Sequence, residues 1–194
     1  MGVNAVFLVG FMASGKSSVG QELARRLDWD FVDLDVRIES RERQTVPEIF
    51  RDRGEPGFRL AETSALRDLL TEPLKRNRVV ALGGGAFVQE RNRELLRRWP
   101  SVFLEATVPE LWQRSLTDGV ERPLREDPAQ FAKLYAERLP FYRQASVVVE
   151  TTGKQLASIC REIEGALQLK GTPEDAGSGS SRIDLRGFGT GESH

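Results

Sequence analysis

Gly10-Phe11-Met12-Ala13-Ser14-Gly15-Lys16-Ser17 sets a glycine near each end of an eight-residue segment and closes it with a lysine and a hydroxyl. This is the spacing of a phosphate-binding P-loop, in which glycines let the backbone wrap around a polyphosphate while main-chain amides and a helix N-terminus donate to it. In such a loop Gly10, Ala13, Ser14, Gly15, Lys16, Ser17 and Ser18 contact the nucleotide. Lys16 adds charge at the outer phosphates, and the Ser17 hydroxyl can ligate Mg2+. A bound nucleoside triphosphate, ATP in the first instance, follows from the pattern.

Asp33 and Asp35 close the segment Phe31-Val32-Asp33-Leu34-Asp35. Read as a strand end, it points both carboxylates to one side. There they hold a metal, orient a nucleophilic hydroxyl, or simply face water. Gly83-Gly84-Gly85 follows a short apolar run, and three consecutive glycines lose more backbone entropy on ordering than a plain turn requires. Close backbone approach to a ligand is one explanation and a flexible turn is the other.

The remaining composition narrows the chemistry. One cysteine, Cys160, and one histidine, His194, exclude disulfide frameworks, Cys/His metal sites and serine-histidine triads. Catalysis must run on carboxylates, hydroxyls, Lys, Arg, backbone amides or a borrowed metal. Basic and acidic residues number 28 and 29, so bulk charge argues against nucleic-acid binding. Of the 28, 23 are Arg and 5 are Lys, which suits bidentate recognition of phosphate or carboxylate, or else reflects codon bias. No apolar run approaches the ~20 residues of a membrane span, and Met1 leads into a strand-like segment without a basic leader, so a cytoplasmic location is expected.

The elements that must position these residues alternate. Ala5 to Val9 is a continuous apolar run typical of a strand buried on both faces, and Ser17 to Leu27 carries Val19, Leu23 and Leu27 on one stripe. Phe31 to Asp35 returns as a strand. Thr45-Val46-Pro47-Glu48 reads as a capping box with proline in the first turn, opening a helix that stops at Gly54. A second helix spans Phe58 to Leu70 with Phe58, Ala61, Ala65, Leu66 and Leu69 inward. Arg78 to Leu82 and Val102 to Ala106 are strands on either side of a helical stretch from Glu90 to Trp99.

Leu111 to Leu116 is a short helix, Thr117 to Pro128 a mobile loop, Ala129 to Ala145 a helix and Val147 to Val149 the fifth strand. From Lys154 to Leu169, Leu156, Ile159, Cys160, Ile163 and Leu167 share a face, which makes Cys160 a core residue. The expected fold is α/β, a three-layer sandwich around a five-stranded parallel sheet, with function where the strands end. The domain runs over 1–170, and the Gly- and Ser-rich residues 171–194 read as a disordered tail.

Six motifs in order resemble the shikimate kinase family: the loop GFMASGKS, FVDLD leading into Ile38-Glu39, GEPGFR at Gly54 to Arg59, Gly83 to Gly85, ERPL at Glu121 to Leu124, and RLPFY at Arg138 to Tyr142. The resemblance covers Val3 to about Leu169. It implies a P-loop kinase with a mobile lid, about 117–128, that moves the ATP γ-phosphate to the 3-hydroxyl of shikimate. By the same resemblance, Asp35 binds the reacting hydroxyl, while Arg59, Arg138, Gly83, Gly84 and Gly85 hold the ring and carboxylate. Asp33 steadies Mg2+ through water, Arg122 swings from the lid onto the phosphates, and Arg114 packs on adenine. Arg143 does not match the family pattern. The implied partners are shikimate and ATP, with no nucleic acid and no membrane, and the implied assembly is a monomer.

Two departures stand out. Ala13-Ser14 replaces the family's usual Gly-Ala, and Arg125 follows ERPL where leucine is more frequent. Nucleotide affinity and lid closure are where these would show. The rival readings are another small-molecule P-loop kinase, such as a gluconate kinase, and a non-catalytic nucleotide-binding regulator.

Overall fold

The computed structural model describes residues 3–73, 75–117 and 127–169. The expected lid and tail fall outside these residues, apart from Thr117, which ends a helix, and Asp127 and Pro128, which begin one.

Apolar alternation along the first strand, β1 (Ala5–Val9), feeds two cores at once. Val6 and Leu8 point to one side of the sheet, and Ala5, Phe7 and Val9 to the other. Helices α1 (Lys16–Leu27) and α7 (Leu156–Ala166) cover the first side. Helices α3 (Val46–Thr71), α4 (Glu90–Leu96), α5 (Val108–Thr117) and α6 (Pro128–Tyr142) cover the second. The other strands are β2 (Asp30–Asp33), β3 (Arg78–Ala81), β4 (Ser101–Glu105) and β5 (Val147–Glu150). All are parallel, in the order β2-β3-β1-β4-β5. The expected three-layer α/β architecture is therefore observed.

This order decides where ligands can sit. β1 is central, so the loop after it opens at the middle of the strands' carboxyl edge, the crevice that such sheets use for binding. Segments after β2 and β3 lie on one side of that loop and segments after β4 and β5 on the other.

Several elements follow their local sequence closely. Thr45 and Glu48 form the capping box, with the Thr45 amide donating to Glu48 Oε2 at 2.7 Å and the Glu48 amide to Thr45 Oγ1 at 3.4 Å. Gly54 breaks α3 with φ 64° and ψ −177°, a left-handed conformation that suits glycine. The second half then resumes at once, with Pro56 in its first turn where a missing N–H is harmless, earlier than the expected start at Phe58. Cys160 is fully buried, as expected for a core residue, and burial pushes its thiol up to about 11. Leu156, expected on the inner face, is instead exposed at the start of α7.

The largest difference lies after β2. Asp33 ends that strand, and Asp35 already belongs to a helix, α2 (Leu34–Glu42). The cause is Asp33 itself, whose Oδ1 accepts from the Asp35 amide at 3.0 Å and the Val36 amide at 3.5 Å, capping the helix. Leu34 and Ile38 then supply its buried side at fourfold spacing. The two carboxylates do not share a strand face.

Candidate functional site

The loop between β1 and α1 is built from residues that only partly tolerate its shape. Gly10 has φ 150°, and a Cβ there would stand 2.8 Å from Ser14 Oγ and 3.1 Å from the Leu104 carbonyl oxygen. Gly15, left-handed at φ 88°, caps α1 without any side-chain hydrogen bond, and no acidic residue stands in that helix's first turn. The helix N-terminus thus presents its partial positive charge without a carboxylate from its own first turn. Ala13 is also left-handed, at φ 60°, which costs an L-residue about 1 kcal/mol. Phe11 pins the loop from behind: fully buried, it meets Phe131 and Tyr135 of α6 edge-on at 5.0 and 5.4 Å. Burying such a ring contributes about 1.5–3 kcal/mol.

Lys16 lies across this loop. Its Nζ donates to the Gly10 carbonyl at 3.0 Å, to the Phe11 carbonyl at 2.7 Å and to Ser14 Oγ at 3.4 Å. Next to it, the Ser17 hydroxyl donates to Asp33 Oδ2 at 3.1 Å, so one carboxylate caps α2 and meets the loop's serine together. A hydroxyl and a carboxylate at a phosphate loop form an oxygen donor set suited to Mg2+, which keeps several waters and takes few protein ligands. Among the described residues no cluster of three or more His, Cys, Asp or Glu could hold a metal by protein ligands alone. The pair therefore fits an ion held chiefly by a triphosphate.

Asp35, two residues on in the first turn of α2, has a different character. Its Oδ1 is buried with no hydrogen-bond partner among the described residues, an arrangement that an incoming hydroxyl would satisfy. Burial first and the Asp33 charge second raise its carboxyl above the usual range, opposed by the positive charges of Lys16 and Arg59.

Two glycines of the run after β3 make room for neighbouring side chains. A Cβ at Gly83 would stand 2.6 Å from Asp35 Oδ1 and 3.1 Å from Glu62 Oε1, and one at Gly85 would collide with the Arg59 guanidinium at 2.3 Å. Gly84 faces the P-loop, where a Cβ would stand at an ordinary contact distance of 3.6 Å from the Met12 nitrogen. In place of the flexible turn, the segment hydrogen-bonds to itself, Ala86 N to Gly83 O at 3.0 Å and Val88 N to Gly85 O at 3.2 Å, forming a 3-10 turn over Ala86–Val88.

Arg59 is held from both sides. Its Nη1 donates to both oxygens of Glu62 at 3.1 and 3.0 Å, its Nε and Nη2 donate to Glu55 Oε1 at 3.2 and 3.0 Å, and its guanidinium lies 5.2 Å from the Phe58 ring centroid. Glu62 is fully buried, and burial pushes its carboxyl up to about 7 against the pull of Arg59. An open cleft of about 480 Å3 adjoins this arginine, lined also by Glu55, Pro56, Leu60, Gln89 and Arg91. Arg138, on α6, donates to the Gly84 carbonyl at 3.4 Å and stands 5.9 Å from the Phe11 ring centroid.

Of the residues expected at the site, the structure gathers the loop 10–18, Asp33, Asp35, Arg59, Gly83–Gly85 and Arg138 into one region. Arg114 stands toward the β5 edge, bonded to Glu110 and to the Thr151 carbonyl at 3.3 Å. Arg122 and Arg125 lie outside the described residues. Glu62 escaped the sequence reading, although a carboxylate inside the apolar stripe Phe58, Ala61, Ala65, Leu66 is an anomaly visible there. Tyr142, whose hydroxyl donates to the Gly84 carbonyl, was read only as part of a motif.

Residues 12–168 match the family model described as shikimate kinase. A shikimate kinase from Geobacter metallireducens is 42% identical over 170 residues, covering 86% of this chain and 93% of the relative. One from Halorhodospira halophila is 45% identical over 168 residues, with coverages of 84% and 93%. The solved shikimate kinase from Acinetobacter baumannii in complex with shikimate superposes with a TM-score of 0.76 at 35% identity, over 86% of this chain and 94% of that one.

Proposed function

The chain belongs to the shikimate kinase family and is an ATP-dependent kinase of shikimate, and from that premise we propose how its residues divide the work. The loop from Gly10 to Ser18 seats the triphosphate, with Lys16 leaving its carbonyl partners for the outer phosphates. Arg122 brings further positive charge to the transferring group, and Arg114 packs on adenine. Ser17, with Asp33 through water, would hold Mg2+, which would supply charge neutralisation to the triphosphate.

Asp35 takes the 3-hydroxyl of shikimate. A carboxylate is a feeble base toward an alcohol, even with its pKa raised. Phosphoryl transfer through a loose transition state needs little early deprotonation, so the first contribution of Asp35 is to hold the oxygen in line with the γ-phosphate. Arg59 and Arg138 grip the carboxylate, because planar forks give charge-assisted, bidentate recognition that a lysine lacks. The glycine run lets the ring lie against main chain.

One observation supports this division above the others: Asp35 Oδ1 is buried and, among the described residues, unpartnered, within the electrostatic reach of both Lys16 and Arg59. The test is ADP release with shikimate against a no-acceptor control, in the native chain and in Asp35→Asn. The native chain is expected to release ADP only with shikimate, and the variant to lose about 100-fold or more in kcat with ATP binding intact. Full turnover in Asp35→Asn would assign the hydroxyl to another residue. One chain furnishing both donor and acceptor residues supports a monomer. A single buried cysteine is in keeping with a cytoplasmic enzyme.

A further inference from the structure

Gly84 faces the nucleotide loop from the acceptor side. A Cβ on it would stand 3.6 Å from the Met12 nitrogen and 3.8 Å from the Gly10 carbonyl oxygen. Its own carbonyl oxygen accepts from two side chains of α6, Arg138 Nη1 at 3.4 Å and the Tyr142 hydroxyl. Among the described residues no main-chain amide donates to it.

The two donors differ in freedom. Tyr142 is fully buried, with its ring stacked on Phe103 at a centroid distance of 5.3 Å, and burial keeps its hydroxyl protonated by pushing it up to about 12. Arg138 is half-buried, and its bond to Gly84 is long. The role given to Arg138 above requires its fork to face the carboxylate of shikimate. Swinging there loosens its hold on Gly84.

We propose that Tyr142 is a positioning residue whose hydroxyl keeps the Gly84 carbonyl satisfied when Arg138 turns to the acceptor's carboxylate. This rests on the reading of Arg138 as an acceptor-binding residue. Removing the hydroxyl makes Arg138 the sole donor to that oxygen among the described residues. Binding the acceptor then strips a half-buried carbonyl of its last protein partner, a penalty that falls only on the acceptor-bound state.

Tyr142→Phe keeps the ring and its stacking, so it isolates the hydroxyl. In the native background the variant is expected to raise the KM for shikimate by about 5- to 10-fold. Its kcat, its KM for ATP and its melting temperature should change little. In an Arg138→Ala background the same substitution is expected to add less than about twofold, because no arginine leaves Gly84 there. An unchanged shikimate KM in Tyr142→Phe, an equal rise in both backgrounds, or a parallel rise in both KM values would overturn the proposal. Arg138→Ala alone separates the two levels. If it leaves the shikimate KM unchanged, the reading of Arg138 fails and takes this inference with it. If it raises that KM while Tyr142→Phe does not, only the inference fails.

Discussion

The donor and acceptor sides of the site are made in opposite ways. The phosphate-binding part of the donor side is one short stretch, residues 10–18, whose shape comes from its own backbone angles and whose charge comes from Lys16 and a helix end. The acceptor side has no such local origin. Asp35 comes from α2, Arg59 and Glu62 from α3, the glycines from the end of β3, and Arg138 and Tyr142 from α6. They meet where Gly83 and Gly85 leave room for the side chains of Asp35, Glu62 and Arg59. A local site is set by dihedral angles, whereas an assembled one is set by clearance, and the two should fail differently when perturbed.

Lys16→Ala gives the largest contrast. It should lower kcat by about 100-fold or more while the acceptor side stays intact, because the lysine's charge serves the transferring phosphate. Shikimate binding measured in the absence of nucleotide should be unaffected. A kcat near native would mean that the loop's amides alone carry the donor side.

Gly83→Ala comes next and acts on the other half. A methyl 2.6 Å from Asp35 Oδ1 and 3.1 Å from Glu62 Oε1 must displace one carboxylate. The KM for shikimate should rise and kcat should fall, each by about 10-fold, with the KM for ATP nearly constant, since a displaced Asp35 both binds the acceptor hydroxyl less well and holds it out of line. Equal changes in both KM values would show that the halves are welded rather than merely adjacent.

The smallest effect is a dependence on pH. Glu62, whose carboxyl is pushed up to about 7, gains a proton as pH falls through that value and loosens its two-oxygen hold on Arg59. Between about pH 8 and 6 the KM for shikimate should climb two- to threefold as pH drops, with a flat KM for ATP. Glu62→Gln should abolish the slope. A slope that survives in that variant would belong to another group and would remove Glu62 from this role.

The same contrast explains what could be read from the sequence. The P-loop, β1, the capping box at Thr45 and the break at Gly54 are local features, written in neighbouring residues. The glycine run could be noticed but not interpreted, because what it clears lies on α2 and α3. Asp33 misled for a physical reason: an aspartate at a strand end and an aspartate capping a helix look alike until the following amides are placed. Tyr142 and Gly84 are 58 positions apart, and no periodicity links them. Arg59 was found through its motif, yet Glu62, which fixes its orientation, is visible only as a charge that ought not to be inside.

Ala13 sits left-handed in the phosphate loop, at φ 60°. An alanine disfavours this angle where a glycine adopts it freely, so the folded loop carries strain that its packing must offset. Strain held in that curve lowers the cost of any rearrangement that relieves it. Departure of ADP is where that relief is expected to be felt, linking one methyl group to the pace of product escape.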